Sequence, residues 1–239
     1  MTMLDIRNFG KQFTIHHLEK TIQAVEKINF SIEEGEFLGI VGRSGSGKST
    51  VLKSIYRSYL SDAGTILYDS ARYGKVNLAK ATEREMLYLR KYEIGYVSQF
   101  LNVMPRTTSR ELVEKALLEM GETEETARCE AEKALDHFEL DEALWDTYPN
   151  TFSGGEKLRL NIAIATVKKP RLLLLDEPTA SLDYASKMKV REIIEKLKAN
   201  GTTLLGIFHD IEFMEGVCDK VYDMRTRKVT QEVAIASES

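Results

Sequence analysis

The sequence predicts an α/β fold with a helical insertion, and three observations predict it. Short apolar runs alternate with stretches of helical periodicity along most of the chain, the pattern of strands and crossover helices. The octapeptide Gly42-Arg43-Ser44-Gly45-Ser46-Gly47-Lys48-Ser49 lies between one apolar run and the helix-periodic segment after it. From about Ser109 to Ala165 the alternation stops and only helical periodicity remains. The 239 residues are read as one domain over 1–239, with a helical subdomain of about 100–167 inserted in the α/β core.

Each element follows from local pattern. Phe37-Leu38-Gly39-Ile40-Val41 has the length and composition of a strand. Behind the glycine-rich turn, Val51, Leu52, Ile55 and Tyr59 recur at helical spacing, and Asp62-Ala63-Gly64 is expected to stop that helix. A strand at Thr65-Ile66-Leu67-Tyr68 should follow, and another short one at Ile94-Gly95-Tyr96-Val97. In the helical stretch, Leu112, Val113, Ala116, Leu117 and Met120 share one face, and Ala127, Ala131, Ala134, Leu135 and Phe138 share a second. Gly121 separates the two helices and Thr123 is the expected cap of the second. The alternation then returns as a strand over 172–175, a helix over 187–199 and a strand over 203–208. His16-His17 and Glu19-Lys20 read as a solvated hairpin tip, not a metal site, and the last dozen residues carry no pattern.

Composition narrows the class. With 43% apolar residues, 29% charged residues and 4 prolines, the chain can bury a core, which excludes wholesale disorder. Lys plus Arg is 33 against 37 acids, a net charge of -4, so no nucleic-acid partner is expected. The longest unbroken aliphatic run, Leu172 to Leu175, is far below the roughly 18 residues of a membrane span, so no span of its own is expected. The opening MTMLDIRNFGK has no signal-peptide pattern, and Cys129 and Cys218 make no disulfide framework. Those two are expected to be reduced, partly buried thiols, and the location to be cytoplasmic.

Chemistry enters at the octapeptide, which matches G-x-x-x-x-G-K-[ST] without a mismatch. Its glycines let the backbone curl until several N–H groups aim at one anion, and the following helix adds its dipole. Lys48 can then reach β- and γ-phosphates, and the Ser49 hydroxyl can ligate Mg²⁺, so a nucleoside triphosphate is the expected ligand. Leu172-Leu173-Leu174-Leu175-Asp176-Glu177 is a buried strand ending in two acids: Asp176 suits the Mg²⁺ shell, and Glu177 suits orienting or deprotonating water. Ser153-Gly154-Gly155-Glu156 opens a helix 23 residues before Asp176 and offers a second anion site. Gln99 follows the strand at 94–97, His209 follows the one ending at Phe208, and Ser181-Leu182-Asp183 lies just past the acid pair.

In this order the residues resemble the nucleotide-binding domain of the ATP-binding-cassette family, over about Leu4 to Arg227. The resemblance implies a phosphate-loop NTPase core with an antiparallel β region and a helical insertion. It implies ATP held by Gly42, Ser44, Gly45, Gly47, Lys48, Ser49 and Thr50, with adenine stacked on Phe13, ahead of Phe9. Ser49, Gln99 and Asp176 would serve Mg²⁺; Glu177, His209, Gln99 and Lys48 would serve hydrolysis, with Asp183 in the loop beside the nucleotide. A head-to-tail dimer is implied, in which Ser153 and Gly155 of one copy cover the ATP of the other. Here the signature reads FSGGEK, so Phe152, Glu156 and Ile164 depart from the family's usual leucine, glutamine and arginine, and an acid is set near the γ-phosphate.

Three stretches, Gly95 to Arg106, Thr151 to Glu156 and Gly206 to Asp210, are more specifically similar to the L-type ATPases of the phosphonate carbon–phosphorus lyase system. That resemblance implies an accessory ATPase associated with the lyase core complex and a sister cassette ATPase. It would act in forming ribose 1-phosphonate 5-triphosphate from ATP and phosphonate. The alternative is the energy-coupling subunit of a membrane transporter, of lipoprotein- or macrolide-exporter type, whose permease is a separate chain. A cassette acting on ribosomes or in DNA repair is the third reading, which the acidic balance disfavours. Phe100 to Arg106 is expected to stand as an exposed extended loop that docks the partner, because Pro105 biases Met104 away from helix.

Overall fold

Strands β1 (Thr2–Ile15) and β2 (Lys20–Glu33) form an antiparallel hairpin that pairs Ile15 with Lys20 at its tip. Leu4, Ile6, Phe9, Ile28, Phe30 and Ile32 are buried, so one face of the ribbon is committed to the core. The computed structural model describes residues 1–15, 19–99, 101, 106–180, 182–208 and 211–231. His16 and His17, assigned above to the hairpin tip, lie outside the described residues.

Strand β3 (Phe37–Val41) leads into the glycine turn and α1 (Lys48–Ile55). The helix does not run to Asp62-Ala63-Gly64. It ends at Ile55, and the next strand, β4 (Ala63–Ser70), already includes Ala63 and Gly64. The cause is tertiary: Arg57 turns the chain at φ 63 and donates to the carbonyls of Leu78 and Ala81. Tyr59 is therefore outside the helix. β5 (Gly74–Asn77) completes a four-stranded antiparallel sheet in the order β2-β1-β4-β5.

A capping box between Thr82 and Glu85 starts α2 (Glu83–Tyr92), and β6 (Ile94–Val97) follows. The insertion holds α3 (Ser109–Met120), α4 (Glu124–His137) and α5 (Gly154–Thr166); among the described residues from Ser109 to Ala165 there is no strand. Gly121 closes α3 in the left-handed region at φ 98, and the Thr123 side chain accepts from the Thr126 N–H at the start of α4. Then come β7 (Leu172–Asp176), α6 (Tyr184–Ala199), β8 (Thr203–Ile207), α7 (Ile211–Met214), β9 (Lys220–Asp223) and β10 (Lys228–Thr230). α6 begins at Tyr184, ahead of the expected 187, because Asp183 caps it.

The second sheet has six strands in the order β10-β9-β3-β8-β7-β6, parallel throughout except for the β9–β10 pair. Along β7, Leu172 and Leu174 pack against the antiparallel sheet, α1 and α2, while Leu173 and Leu175 pack against α3 to α6. Glu93, 3% exposed, ties the two sheets by accepting from the Ser70 hydroxyl at 2.9 Å and the Ala71 N–H at 3.1 Å. Both thiols are free, but only Cys218 is half-buried; Cys129 is exposed, since it lies on the solvent side of α4 opposite Ala127 and Ala131. Among the described residues, no helix is long and apolar enough to cross a membrane.

Candidate active site

β3, β8, β7 and β6 are consecutive neighbours and run the same way, so the segments after their last residues meet at one edge of the sheet. Such carboxyl edges are where open α/β sheets bind ligands. The glycine loop leaves β3 there, Asp176 ends β7 with Glu177 directly after it, and Ser98 and Gln99 follow β6. His209, expected after β8, lies outside the described residues, as do Ser181, Phe100 and residues 102–105 of the expected docking loop.

The loop's shape depends on glycine. Gly47 caps α1 at φ 88, and a Cβ there would stand 2.3 Å from Val25 Cγ1 and 2.7 Å from the Ala24 carbonyl. Gly45 turns at φ 74 at the exposed lip beside Ser44, while Gly42 and Thr50 are half-buried at its two ends. The Ser46 Oγ is buried without a hydrogen-bond partner, an orphaned polar atom that suits a cradle for oxyanions. Lys48 is 4% exposed, and its Nζ donates to the carbonyls of Gly42 at 2.9 Å and Arg43 at 3.1 Å. Burial lowers its pKa, opposed by the nearby charges of Glu177 and Asp176.

Asp176 is the hub. Its Oδ1 accepts from the Ser49 hydroxyl at 2.8 Å and its Oδ2 from the Tyr96 hydroxyl at 2.5 Å. Ser49 and Asp176 are hard oxygen donors beside the phosphate loop, a donor set that fits Mg²⁺. Glu177 has φ 52, the left-handed region that a non-glycine residue seldom adopts, and such strain concentrates at functional positions. Glu177 also lines a cleft of about 530 Å³ together with Gln99, Lys157, Asn161 and Leu182. Gln99 is exposed at this cleft, and the Asn161 Nδ2 donates to the Ser98 carbonyl at 2.9 Å, holding the segment before it. A larger cavity of about 680 Å³, lined by Lys133, His137, Lys169 and Thr202, includes none of these residues.

Ser153 caps α5 in a reciprocal box with Glu156. Its Oγ accepts from the Glu156 N–H at 3.3 Å and donates to Oε2 at 2.9 Å, and its own N–H donates to Oε2 at 2.7 Å. The acid that departs from the family pattern thus completes the helix cap. The pair Ser-x-x-Glu is itself a capping-box signature, a signal the sequence carried. A Cβ at Gly155 would meet Ser186 Oγ at 2.8 Å, so α5 lies close on α6. Asp183 accepts from the Ser186 N–H at 2.7 Å, and that bond lowers its pKa.

Phe9 is fully buried in the core, whereas Phe13 is half-buried, edge-on to Tyr59 with centroids 5.1 Å apart and with the Lys11 ammonium 5.2 Å from its ring centre. The structure therefore brings Lys48, Ser49, Asp176 and Glu177 together. It places Ser153 and Gly155 on α5, packed among β6, α3, α4 and α6, while α1 packs on β2 and β7. Tyr96 is the residue that motif reading passed over.

Known proteins resemble this chain over most of its length. A family model described as ABC transporter matches residues 25–180. A Brucella ovis protein named "Putative peptide import ATP-binding protein" is 33% identical over 223 residues, covering 92% of this chain and 68% of that one. The methionine import ATP-binding protein MetN 1 of Listeria innocua is 30% identical over 231 residues, 96% of this chain and 66% of its own length. The dimeric structure of MJ0796, a bacterial ABC transporter cassette, superposes with TM-score 0.84 at 31% identity, covering 92% of this chain and 94% of that one. A post-hydrolysis dimer of the same cassette, bound to ADP and Pi, superposes equally well, with TM-score 0.84. The chain belongs to the ABC transporter family and is an ATP-hydrolysing ATP-binding cassette.

Proposed function

We propose that two copies of this chain close head to tail over MgATP and that hydrolysis reopens them, driving a partner on a separate chain. One observation carries the reading: Lys48, Ser49, Asp176 and Glu177 converge at one sheet edge, while the helix start at Ser153 belongs to a different layer. In this reading the N–H groups of the loop and Lys48 hold the β- and γ-phosphates. Ser49, Asp176 and Gln99 hold Mg²⁺, which when bound neutralises charge on the phosphate oxygens. Glu177 orients the attacking water and takes its proton, and His209 supports the same step. Phe13 stacks adenine, while Ser153, Gly155 and Asp183 of the second copy complete the closed site.

Two partner readings remain, each with its own support. A membrane permease is favoured by the relatives, whose names refer to peptide and methionine import and not to phosphonate chemistry. Those names favour import over the exporter type given above as the alternative. The carbon–phosphorus lyase complex, with its sister ATPase, is favoured by the stretches at Gly95 to Arg106, Thr151 to Glu156 and Gly206 to Asp210. In both readings the cassette works at the cytoplasmic side. Purifying the native chain from membrane and soluble fractions, with mass spectrometry of what accompanies it, separates them. Integral permease subunits support the transporter; lyase subunits in the soluble fraction support the accessory ATPase.

A further inference from the structure

We propose that Tyr96 is a positioning residue for Asp176, the aspartate assigned to Mg²⁺. In the β6–β7 ladder Tyr96 lies opposite Leu174, and Asp176 is two residues further along β7. Residues two apart on a strand share a face, so Asp176 lies diagonally across this parallel pair on the same side as Tyr96. The Tyr96 hydroxyl closes that diagonal at 2.5 Å on Oδ2, while the Ser49 hydroxyl holds Oδ1 at 2.8 Å. Both carboxylate oxygens are thus gripped, one from β6 and one from α1, which fixes the rotation of the carboxylate.

Tyr96 is itself braced. Its ring lies against Tyr56 with centroids 5.0 Å apart, and the Arg90 guanidinium sits 4.8 Å from the Tyr56 ring centre while its Nε donates to the Tyr56 carbonyl at 2.8 Å. The end of α1, α2 and β6 therefore set one hydroxyl. Only Val97 and Ser98 separate Tyr96 from Gln99, which lines the 530 Å³ cleft.

The inference rests on the assignment of Asp176 to Mg²⁺, so the test carries a separate control. Tyr96→Phe keeps the ring and removes only the hydroxyl. ATP binding is followed by calorimetry with excess EDTA and then across a Mg²⁺ titration, with Asp176→Asn in parallel. Losing a hydrogen bond to a charged group should raise the Mg²⁺ requirement roughly tenfold in Tyr96→Phe, with metal-free ATP affinity unchanged. An unmoved Mg²⁺ requirement in Tyr96→Phe beside a raised one in Asp176→Asn overturns the role of Tyr96 alone. An unmoved requirement in Asp176→Asn overturns the metal assignment beneath it. Equal loss of ATP binding with and without metal in Tyr96→Phe makes the residue a packing element and also overturns the inference.

Discussion

Lys48 condenses the physical logic of the site at the scale of a residue. Its ammonium is almost wholly buried among the loop's own carbonyls and faces the carboxylates of Asp176 and Glu177. A buried cation needs compensation, and here the Gly42 and Arg43 carbonyls and the two acids supply it, in the loop proposed to hold the phosphates. Charge-assisted hydrogen bonds are the strong ones, so Lys48→Ala is expected to weaken MgATP binding at least tenfold, about 1.4 kcal/mol. Calorimetry checks this, and an unchanged affinity in a folded variant would remove Lys48 from the phosphate site. The lysine, the glycines around it and the two acids could be read from sequence because each chemistry needs those residue types at fixed spacing. Tyr96 could not, because its role arises from a strand register that brings together residues 80 apart.

Element by element, the legible parts are those decided locally. β3 and β6 run over the residues that their apolar stretches mark, and the strand expected over 172–175 gains only Asp176. The end of α1 was not legible, since Arg57 is anchored on Leu78 and Ala81, more than a dozen residues away. α5 shows one residue serving two purposes: Ser153 caps the helix through Glu156 and is the proposed phosphate contact. Substitution can part these roles. Ser153→Ala loses the cap, about 1 kcal/mol, and should lower the melting temperature by roughly 2–4 °C. Asparagine caps as well as serine does, so Ser153→Asn should melt like the wild type yet close poorly over ATP. Thermal melts beside ATP-dependent dimerisation check the pair; normal closure of both variants would confine Ser153 to its capping role.

At the scale of the whole molecule, four parallel strands ending at one edge put the nucleotide machinery together, and the helical layer carries the signature on separate elements. The family was legible in the sequence, because it is written in motifs. The partner was not: part of the expected docking loop lies outside the described residues, and the cleft beside it is lined by residues from several elements. The central claim is that Glu177 serves hydrolysis in a dimer closed over ATP. Glu177→Gln keeps the shape of the side chain and removes its basicity, so turnover should fall roughly 10²- to 10⁴-fold while binding survives. The most direct measurement is the sedimentation mass of that variant in MgATP against MgADP. The account predicts a dimer in MgATP and a monomer in MgADP; a monomer in both, with hydrolysis at the wild-type rate, would contradict it.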